Sequence, residues 1–368
     1  MRLFHLLFIG IFLAILLFPW FRIPTPAVNG FTESHIRPRF SPATFMDSEY
    51  QKNFEKYYIS RMPSRPWLLF LKNDLYDLLN WGQFHSGYSG EILQGSNGIL
   101  FEKIYFQAFY TPFEQKALEK SAQELVNKLL KLKNMLALRG ISFIIAMAPS
   151  KPDFLSDVIP WLWRFRLGNP ITYAKDVFPY YEKIMTREHI AYVNCMDTIE
   201  KASAHNMAFP DTGIHWSMYA AALCLRDIST SLHAMDSRVF PPVRIKGIKI
   251  TQAAKHEEDD LAGLLNLWPP YRKGKRDYFL AEFAPVPRPI SVTVIGDSFG
   301  GQLIDNMLIS GYVKEDGLHR FTNHIPQRAD FLNALSHSNA LIIVSNSVKF
   351  IFTDYLNDLS EALLRYLE

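Results

Sequence analysis

The chain has 368 residues, a net charge of +3, and an apolar content of 48%, which is ordinary for a globular protein. This length suits one large α/β domain with additions, or two smaller domains. The small net charge gives no support to nucleic-acid binding. With two cysteines, no HExxH motif and no His/Cys cluster, the sequence predicts neither a metal site nor a cofactor.

An apolar segment opens the chain and runs from Leu3 to Phe21. At about 1.5 Å of rise per residue, a helix of this length can just span a hydrocarbon core of roughly 30 Å. Trp20, Phe21 and Arg22 are typical of an interfacial end. We therefore expect an uncleaved transmembrane helix over residues 1–23, with a cleaved signal peptide as the alternative. Both predict that the rest of the chain lies beyond the inner (cytoplasmic) membrane. If the helix is kept, the protein is a single-pass membrane protein with its catalytic domain on the periplasmic side.

Residues 24–94 are expected to form a linker followed by an N-terminal helical region. The part from Pro24 to Pro42 is rich in Pro, Asn, Ser and Arg, as linkers are. Helical spacing of apolar residues from Ser48 to Asn80, broken at Pro63 and Pro66, predicts two helices. The remaining chain, 95–368, is predicted to be one catalytic domain.

Within 95–368, helical and strand patterns alternate. Continuous apolar runs at Ile141–Ala148 and Ile190–Cys195 are typical of strands buried on both faces. Helical patterns before, between and after them predict a wound α/β sheet, mostly parallel, with helices on both faces. Residues 241–289 lose this pattern. They are interpreted as a solvated excursion, with a surface for acidic glycan or anionic headgroups as the alternative.

The two cysteines, Cys195 and Cys224, show no CxxC or metal-ligand spacing. One ends a predicted strand and the other lies in a predicted helix. Two buried thiols are the default interpretation, and a disulfide is the alternative if the domain lies outside the cytoplasm.

A Gly-Asp-Ser turn at residues 296–298 carries the strongest catalytic pattern. A β-branched strand, 291–295, runs into it, and a helix is predicted from Gln302 to Ser310. A serine between a strand and a helix exposes its hydroxyl, and its N–H lies where a developing oxyanion is favoured. Ser298 is therefore the candidate nucleophile. The alternative is a turn that only connects the two elements.

A second motif, Asp-Thr-Gly-Ile-His-Trp-Ser at residues 211–217, supplies a candidate base. His215 would be the general base and Asp211 its orienting carboxylate. Four residues separate them, so the loop must fold back, and Gly213 is expected to allow this. Another acid could take the place of Asp211.

Polar residues at other strand ends are expected to meet Ser298 at one sheet edge. Gly300 N–H or Asn346 would complete an oxyanion hole with the Ser298 N–H. Lys151 is interpreted as a residue that binds the acyl donor or the glycan. The alternative is a solvated loop lysine. Trp216 could stack on sugar, although packing beneath the histidine loop is the favoured role.

Two classes of serine hydrolase do not match this chain in the order of their catalytic residues or in their fold. The spacing of Gly296, Ser298 and Gly300 fits the nucleophile elbow of α/β-hydrolases, but there the histidine follows the serine. The histidines after Ser298, at 319, 324 and 337, have no motif. Chymotrypsin-like enzymes are β-barrels, whereas this chain alternates helix and strand.

The two motifs instead resemble the SGNH hydrolase superfamily. Their inverted order is similar to the AlgJ/AlgX-like alginate O-acetyltransferase branch, in which an Asp-x-His-Trp motif precedes the serine. This chain departs from that motif, because Asp211 lies four residues before His215 instead of two, as if Gly213 and Ile214 were inserted. Further segments that resemble this branch are Asn97-Gly98-Ile99-Leu100-Phe101, Ala148-Pro149-Ser150-Lys151 with Ile159-Pro160, and Asp259-Asp260-Leu261-Ala262.

The resemblance implies an extracytoplasmic polysaccharide O-acyltransferase, of the O-acetyl type in exopolysaccharide biosynthesis, that works through an acyl-serine. It implies a polysaccharide acceptor and a membrane O-acyltransferase that supplies acyl groups. The alternatives are a carbohydrate acetylesterase with the same triad and a non-catalytic glycan-binding or polysaccharide-assembly protein.

Overall fold

The computed structural model describes residues 9–10, 13, 36–46, 48–79, 83–85, 91–95, 98–110, 114–159, 165, 174–202, 207–255, 258–267 and 276–368. The chain forms two compact units, one of residues 1–94 with 261–272, the other of 95–260 with 273–368. None of the helices in these ranges is long and apolar enough to cross a membrane. The predicted anchor, Leu3 to Phe21, lies almost wholly outside the described residues.

The described part of the first unit contains helices α1 (Pro42–Met46), α2 (Glu49–Arg61) and α3 (Arg65–Leu78), and the antiparallel strands β1 (Gln83–His85) and β2 (Glu91–Gln94). The predicted pair of helices corresponds to α2 and α3. Helix α2 ends before Pro63 because a proline disfavours helical backbone in the residue that precedes it, and Met62 is indeed extended. Pro66 is tolerated because it lies in the first turn of α3.

The second unit holds the larger set of elements. In chain order these are β3 (Leu100–Glu102), α4 (Lys103–Phe109), α5 (Gln115–Ala137), β4 (Ser142–Ala148), α6 (Lys151–Phe154), a 3-10 turn (Ser156–Val158), α7 (Ala174–Arg187), β5 (Ala191–Asn194), α8 (Cys195–Lys201), α9 (Met218–Met235), β6 (Ile245–Thr251), α10 (Asp260–Leu264, of which only Asp260 belongs to this unit), β7 (Tyr278–Phe283), β8 (Ile290–Gly296), α11 (Gly300–Ile309), β9 (Val313–Thr322), α12 (Arg328–Ser336), β10 (Ala340–Asn346), α13 (Ser347–Ile351) and α14 (Asp354–Leu367).

A five-stranded sheet in the order β5-β4-β10-β8-β9 forms the centre of this unit, and every neighbouring pair is parallel. All seven residues of β10 are buried, as are six of seven in β4. Strands that are buried at consecutive positions have both faces covered. Helices α5, α7 and α14 pack together, as do α8, α9 and α11, and β4 contacts members of both groups. The predicted parallel α/β fold is confirmed.

The strand order creates a crevice at the carboxyl edge of the sheet. From β4 the chain proceeds outward to β5, and from β8 it proceeds outward to β9 on the other side. Strand β10 fills the gap between them, so the ends of β4, β10 and β8 lie side by side. Ligand sites in wound α/β sheets occur at such a reversal of strand order. The ends carry Lys151, Asn346 and Ser298.

Gly296 is required by the close packing at the end of β8. A Cβ atom at this position would lie 2.0 Å from the Val344 carbonyl oxygen of β10. No side chain can be accommodated at that distance. The glycine therefore lets the serine turn start directly beside the neighbouring strand.

The 241–289 region is not simply a solvated excursion. Strands β6 and β7 pair antiparallel within it. Glu258 is fully buried, and its carboxylate accepts hydrogen bonds from the backbone N–H groups of Met218 and Lys255. Asp260 belongs to the same segment. The expectation of a solvated excursion is wrong for this segment, because the carboxylates of Glu258 and Asp260 accept hydrogen bonds from backbone N–H groups.

Cys195 and Cys224 form a disulfide between α8 and α9, with their Cα atoms 5.3 Å apart. Both residues are fully buried. The default expectation of two thiols is therefore wrong. The bond joins two elements that the local sequence pattern treats separately, so only their packing brings the sulfurs together.

We expect the purified chain, unfolded without reductant, to show no titratable thiol and to show two after reduction. Cys224→Ala should lower the free energy of unfolding by about 3 kcal/mol, because the cross-link restricts the unfolded chain. The double variant, with Cys195→Ala added, should cost little more. Two reactive thiols before reduction would contradict the bond.

Candidate functional site

The serine turn is held in place by the carboxylate of Asp297. One oxygen accepts from the Phe299 N–H at 3.0 Å, and the other accepts from the Asn346 N–H at 2.8 Å and the Ser345 hydroxyl at 3.2 Å. Burial raises the pKa of Asp297, and these donors oppose the rise by favouring the charged form. The aspartate of the Gly-Asp-Ser motif thus fixes the turn to the end of β10.

The oxyanion donors differ from those expected. The Ser298 N–H has no hydrogen-bond partner among the described residues and lies at the start of α11. The Gly300 N–H donates to the Asp297 carbonyl at 3.0 Å, so its predicted role in the oxyanion hole is wrong. Asn346 uses its backbone N–H on Asp297 and its side-chain oxygen as the cap of α13. Only its amide N–H groups are left to donate.

Asp260 provides the carboxylate beside the histidine. Its Oδ2 lies 3.3 Å from Nδ1 of His215. Its Oδ1 accepts the Ile214 N–H at 2.9 Å, so the histidine loop itself orients the acid. His215 is buried, while Asp260 keeps partial exposure. A carboxylate on Nδ1 is the arrangement that directs the other ring nitrogen to a nucleophile.

Asp211 does not occupy the predicted position. Its side chain is exposed, and its carbonyl oxygen accepts from the Leu100 N–H at 2.7 Å. Gly213 has no left-handed backbone conformation; instead, a Cβ there would lie 2.7 Å from the Glu258 carbonyl oxygen. The absence of a side chain at Gly213 thus allows the segment that carries Asp260 to pack against the histidine loop. It does not fold Asp211 back towards His215. The Asp-Asp-Leu-Ala motif at 259–262 is the sequence signal for this acid.

Lys151 anchors the histidine loop from below. Its side chain is buried, and its ammonium donates to the carbonyl oxygens of Pro210 at 2.6 Å, Asp211 at 2.9 Å and Gly213 at 2.9 Å. All three donors are therefore used, which leaves none for substrate and excludes a solvated loop lysine. Burial lowers the pKa of Lys151 to about 7, and the nearby carboxylates of Asp211 and Asp260 oppose this.

The histidine loop is fixed to the residue that follows the nucleophile. Trp216 is fully buried and donates from Nε1 to the Phe299 carbonyl oxygen at 3.0 Å. The His215 ring meets the Phe299 ring edge-on, with centroids 5.2 Å apart. The favoured role of Trp216, packing beneath the loop, is confirmed, and its burial excludes stacking on sugar. These contacts bring the histidine loop and the Gly-Asp-Ser turn together.

Two residues of the site were missed in the sequence. Tyr105 lies close enough to the Ser298 side chain to interact with it, and its ring centroid lies 6.1 Å from that of Phe299. Burial, together with the nearby carboxylates, raises the pKa of Tyr105 well above its usual value. Glu102, at the start of the same helix, has its pKa raised by burial and by Asp260. Glu102 directly follows the Ile-Leu-Phe motif at 99–101 and Tyr105 lies four residues after it, so this motif was the available signal.

Metal chemistry finds no support in the described ranges. No group of three or more His, Cys, Asp and Glu residues there is arranged to hold a metal ion. The chemistry available at the crevice is that of a serine hydroxyl, an imidazole, carboxylates and a phenol.

No family model and no curated protein matches the chain. Among solved structures, the chain is similar to the O-acetyltransferase domain of Pseudomonas putida AlgJ, with 12% identity, a TM-score of 0.48, and coverage of 73% of this chain and 98% of that one. It is similar to Bacillus cereus PatB1, with 11% identity, a TM-score of 0.44, and coverage of 71% and 97%. It is also similar to Pseudomonas aeruginosa AlgX, with 12% identity, a TM-score of 0.42, and coverage of 69% and 61%.

Proposed function

We propose that this chain is an extracytoplasmic polysaccharide O-acyltransferase, of the O-acetyl type, that works through an acyl-serine on Ser298. The observation that carries the proposal is the 3.3 Å separation of His215 Nδ1 and Asp260 Oδ2, in a loop fixed to the serine turn through Phe299. This geometry is suited to general-base activation of a hydroxyl. The motif resemblance directs the proposal to acyl transfer on a glycan.

In the first half-reaction, Ser298 Oγ bonds to the carbonyl carbon of the donor while the carbonyl π pair moves onto oxygen. His215 Nε2 takes the serine proton, and Asp260 stabilises the imidazolium that forms. The Ser298 N–H stabilises the oxyanion. The intermediate collapses when the bond to the leaving group breaks. The leaving group takes the proton from His215, and an acyl-serine remains.

In the second half-reaction, a polysaccharide hydroxyl takes the place of the leaving group. His215 removes its proton, the hydroxyl oxygen bonds to the acyl carbon, and Ser298 leaves with the proton returned by the imidazolium. Atoms balance, with no oxidant or metal required. Water as the acceptor would give an esterase from the same residues.

The proposal includes the location of the protein and the partners with which it works. The buried disulfide supports a compartment outside the cytoplasm, since such bonds are rare where thiols are kept reduced. The apolar segment at the N-terminus supports a membrane anchor. The motif resemblance supports a polysaccharide acceptor and a membrane O-acyltransferase that supplies the acyl group.

A chromogenic acetyl ester tests the reaction with and without an oligosaccharide acceptor. We expect acetyl release from the purified chain, faster release with acceptor, and acetylated oligosaccharide by mass spectrometry. A serine-directed sulfonyl fluoride should label Ser298, and Ser298→Ala should remove both label and turnover. Release that is indifferent to every acceptor would identify an esterase. If the chain shows neither acetyl release nor labelling of Ser298, the remaining interpretation is a glycan-binding protein.

A further inference from the structure

The oxyanion hole formed by the backbone alone is incomplete. The Ser298 N–H is one donor, and the Gly300 N–H is bonded within the turn. Asn346 uses its backbone N–H on Asp297 and its side-chain oxygen as a cap, which leaves its side-chain amide N–H groups. Removing one donor from an oxyanion hole costs a large factor in rate. A side chain from another element of the crevice can therefore add a donor to the Ser298 N–H.

Tyr105 is the side chain in position for this role. It lies in the first turn of α4, directly after β3, and its phenol lies close enough to the Ser298 side chain to interact with it. Its ring packs against Phe299 on the α11 side of the turn. The residue is partly exposed, so a substrate can reach it, whereas Trp216 on the histidine side is fully buried.

The surroundings keep Tyr105 a neutral donor. Burial, Asp297, Glu102 and Asp260 all disfavour the phenolate, which raises the pKa of Tyr105 well above its usual value. A phenol that retains its proton at neutral pH can donate to an oxyanion without itself losing the proton. A histidine or lysine in the same place would change charge with pH, and a phenylalanine would donate nothing.

We propose that Tyr105 is a catalytic residue, which donates its phenolic hydrogen to the oxyanion formed on the acyl group bound to Ser298. In the resting protein the phenol lies beside the serine side chain. As Ser298 Oγ bonds to the acyl carbon and its proton passes to His215, the phenol donates a hydrogen bond to the new oxyanion. No proton is transferred to or from Tyr105. This inference rests on the proposed acyl transfer.

Tyr105→Phe tests the assignment with the acetyl-ester assay. We expect kcat to fall by about 10²-fold with little change in KM, because the lost contact exists only in the transition state. The Ki for a trifluoromethyl ketone that forms a serine-bound oxyanion should rise by a similar factor. A residue that only supports the fold would change the thermal midpoint without this selective loss.

Tyr181→Phe is the matched control. Its hydroxyl donates to the Phe350 carbonyl at 2.7 Å in the core, so its removal should affect stability and leave kcat and Ki unchanged. If the unmodified chain is active and Tyr105→Phe keeps its kcat, the assignment of Tyr105 is overturned while acyl transfer stands. If the unmodified chain neither turns over ester nor is labelled at Ser298, both proposals are overturned.

Discussion

Asp260→Asn is expected to lower kcat/KM for an acetyl ester by about 10⁴-fold, with the fold intact. The amide no longer stabilises the imidazolium on His215 and permits the wrong tautomer, which is the basis of the loss in serine triads of other folds. The side chain keeps its size, so Oδ1 can still accept from the Ile214 N–H. The measurement is steady-state kinetics at several pH values, alongside circular dichroism.

Two neighbouring carboxylates provide controls. Asp211→Asn should keep activity within about twofold, because an exposed side chain contributes little away from the reacting groups. Asp259 adjoins Asp260 but accepts from the Thr212 hydroxyl and faces Arg276 at 3.5 Å. Asp259→Asn therefore tests whether any lost carboxylate near the loop harms activity, and we expect a small effect. Strong loss in Asp211→Asn with normal activity in Asp260→Asn would reverse the assignment.

Lys151→Met is expected to lower the free energy of unfolding by about 4 kcal/mol and to reduce activity as well. In the described part of the chain, the carbonyls of Pro210 and Gly213 have no other hydrogen-bond donor, so the substitution leaves one buried acceptor, at Gly213, and one partly buried acceptor, at Pro210, without partners. Each costs about 1–3 kcal/mol. The Asp211 carbonyl still accepts from Leu100. Chemical denaturation gives the free energy, and ester turnover gives the effect on the loop.

Lys133→Met is the matched control for this loss. Lys133 also donates to two backbone carbonyls, those of Glu188 and His189, but at an exposed site. Water can replace its hydrogen bonds, so we expect a cost below about 1 kcal/mol and full activity. Equal costs for the two substitutions would show that Lys151 holds the loop no more firmly than a surface lysine holds a turn.

Features that depend on residues adjacent in the chain are predictable from the amino-acid sequence. Apolar runs identify β4 and β10 because a strand buried on both faces needs apolar residues at successive positions. The strand-turn-helix pattern identifies Ser298 for the same local reason. His215 and the burial of Trp216 follow from one short motif. The parallel α/β class then follows from the alternation of these local patterns.

The identity of the carboxylate beside His215, and of the residues around the serine, depends on the packing of segments that are distant in the chain. Asp260 comes from a segment far along the chain, and the close approach at Gly213 brings it to the loop. Tyr105 reaches Ser298, Lys151 reaches the loop carbonyls, and Cys195 reaches Cys224 in the same way, through packing. Sequence spacing limits how near two residues can be along one segment. It does not determine which segments the sheet brings to one edge, because burial of apolar surface across the whole unit sets that arrangement.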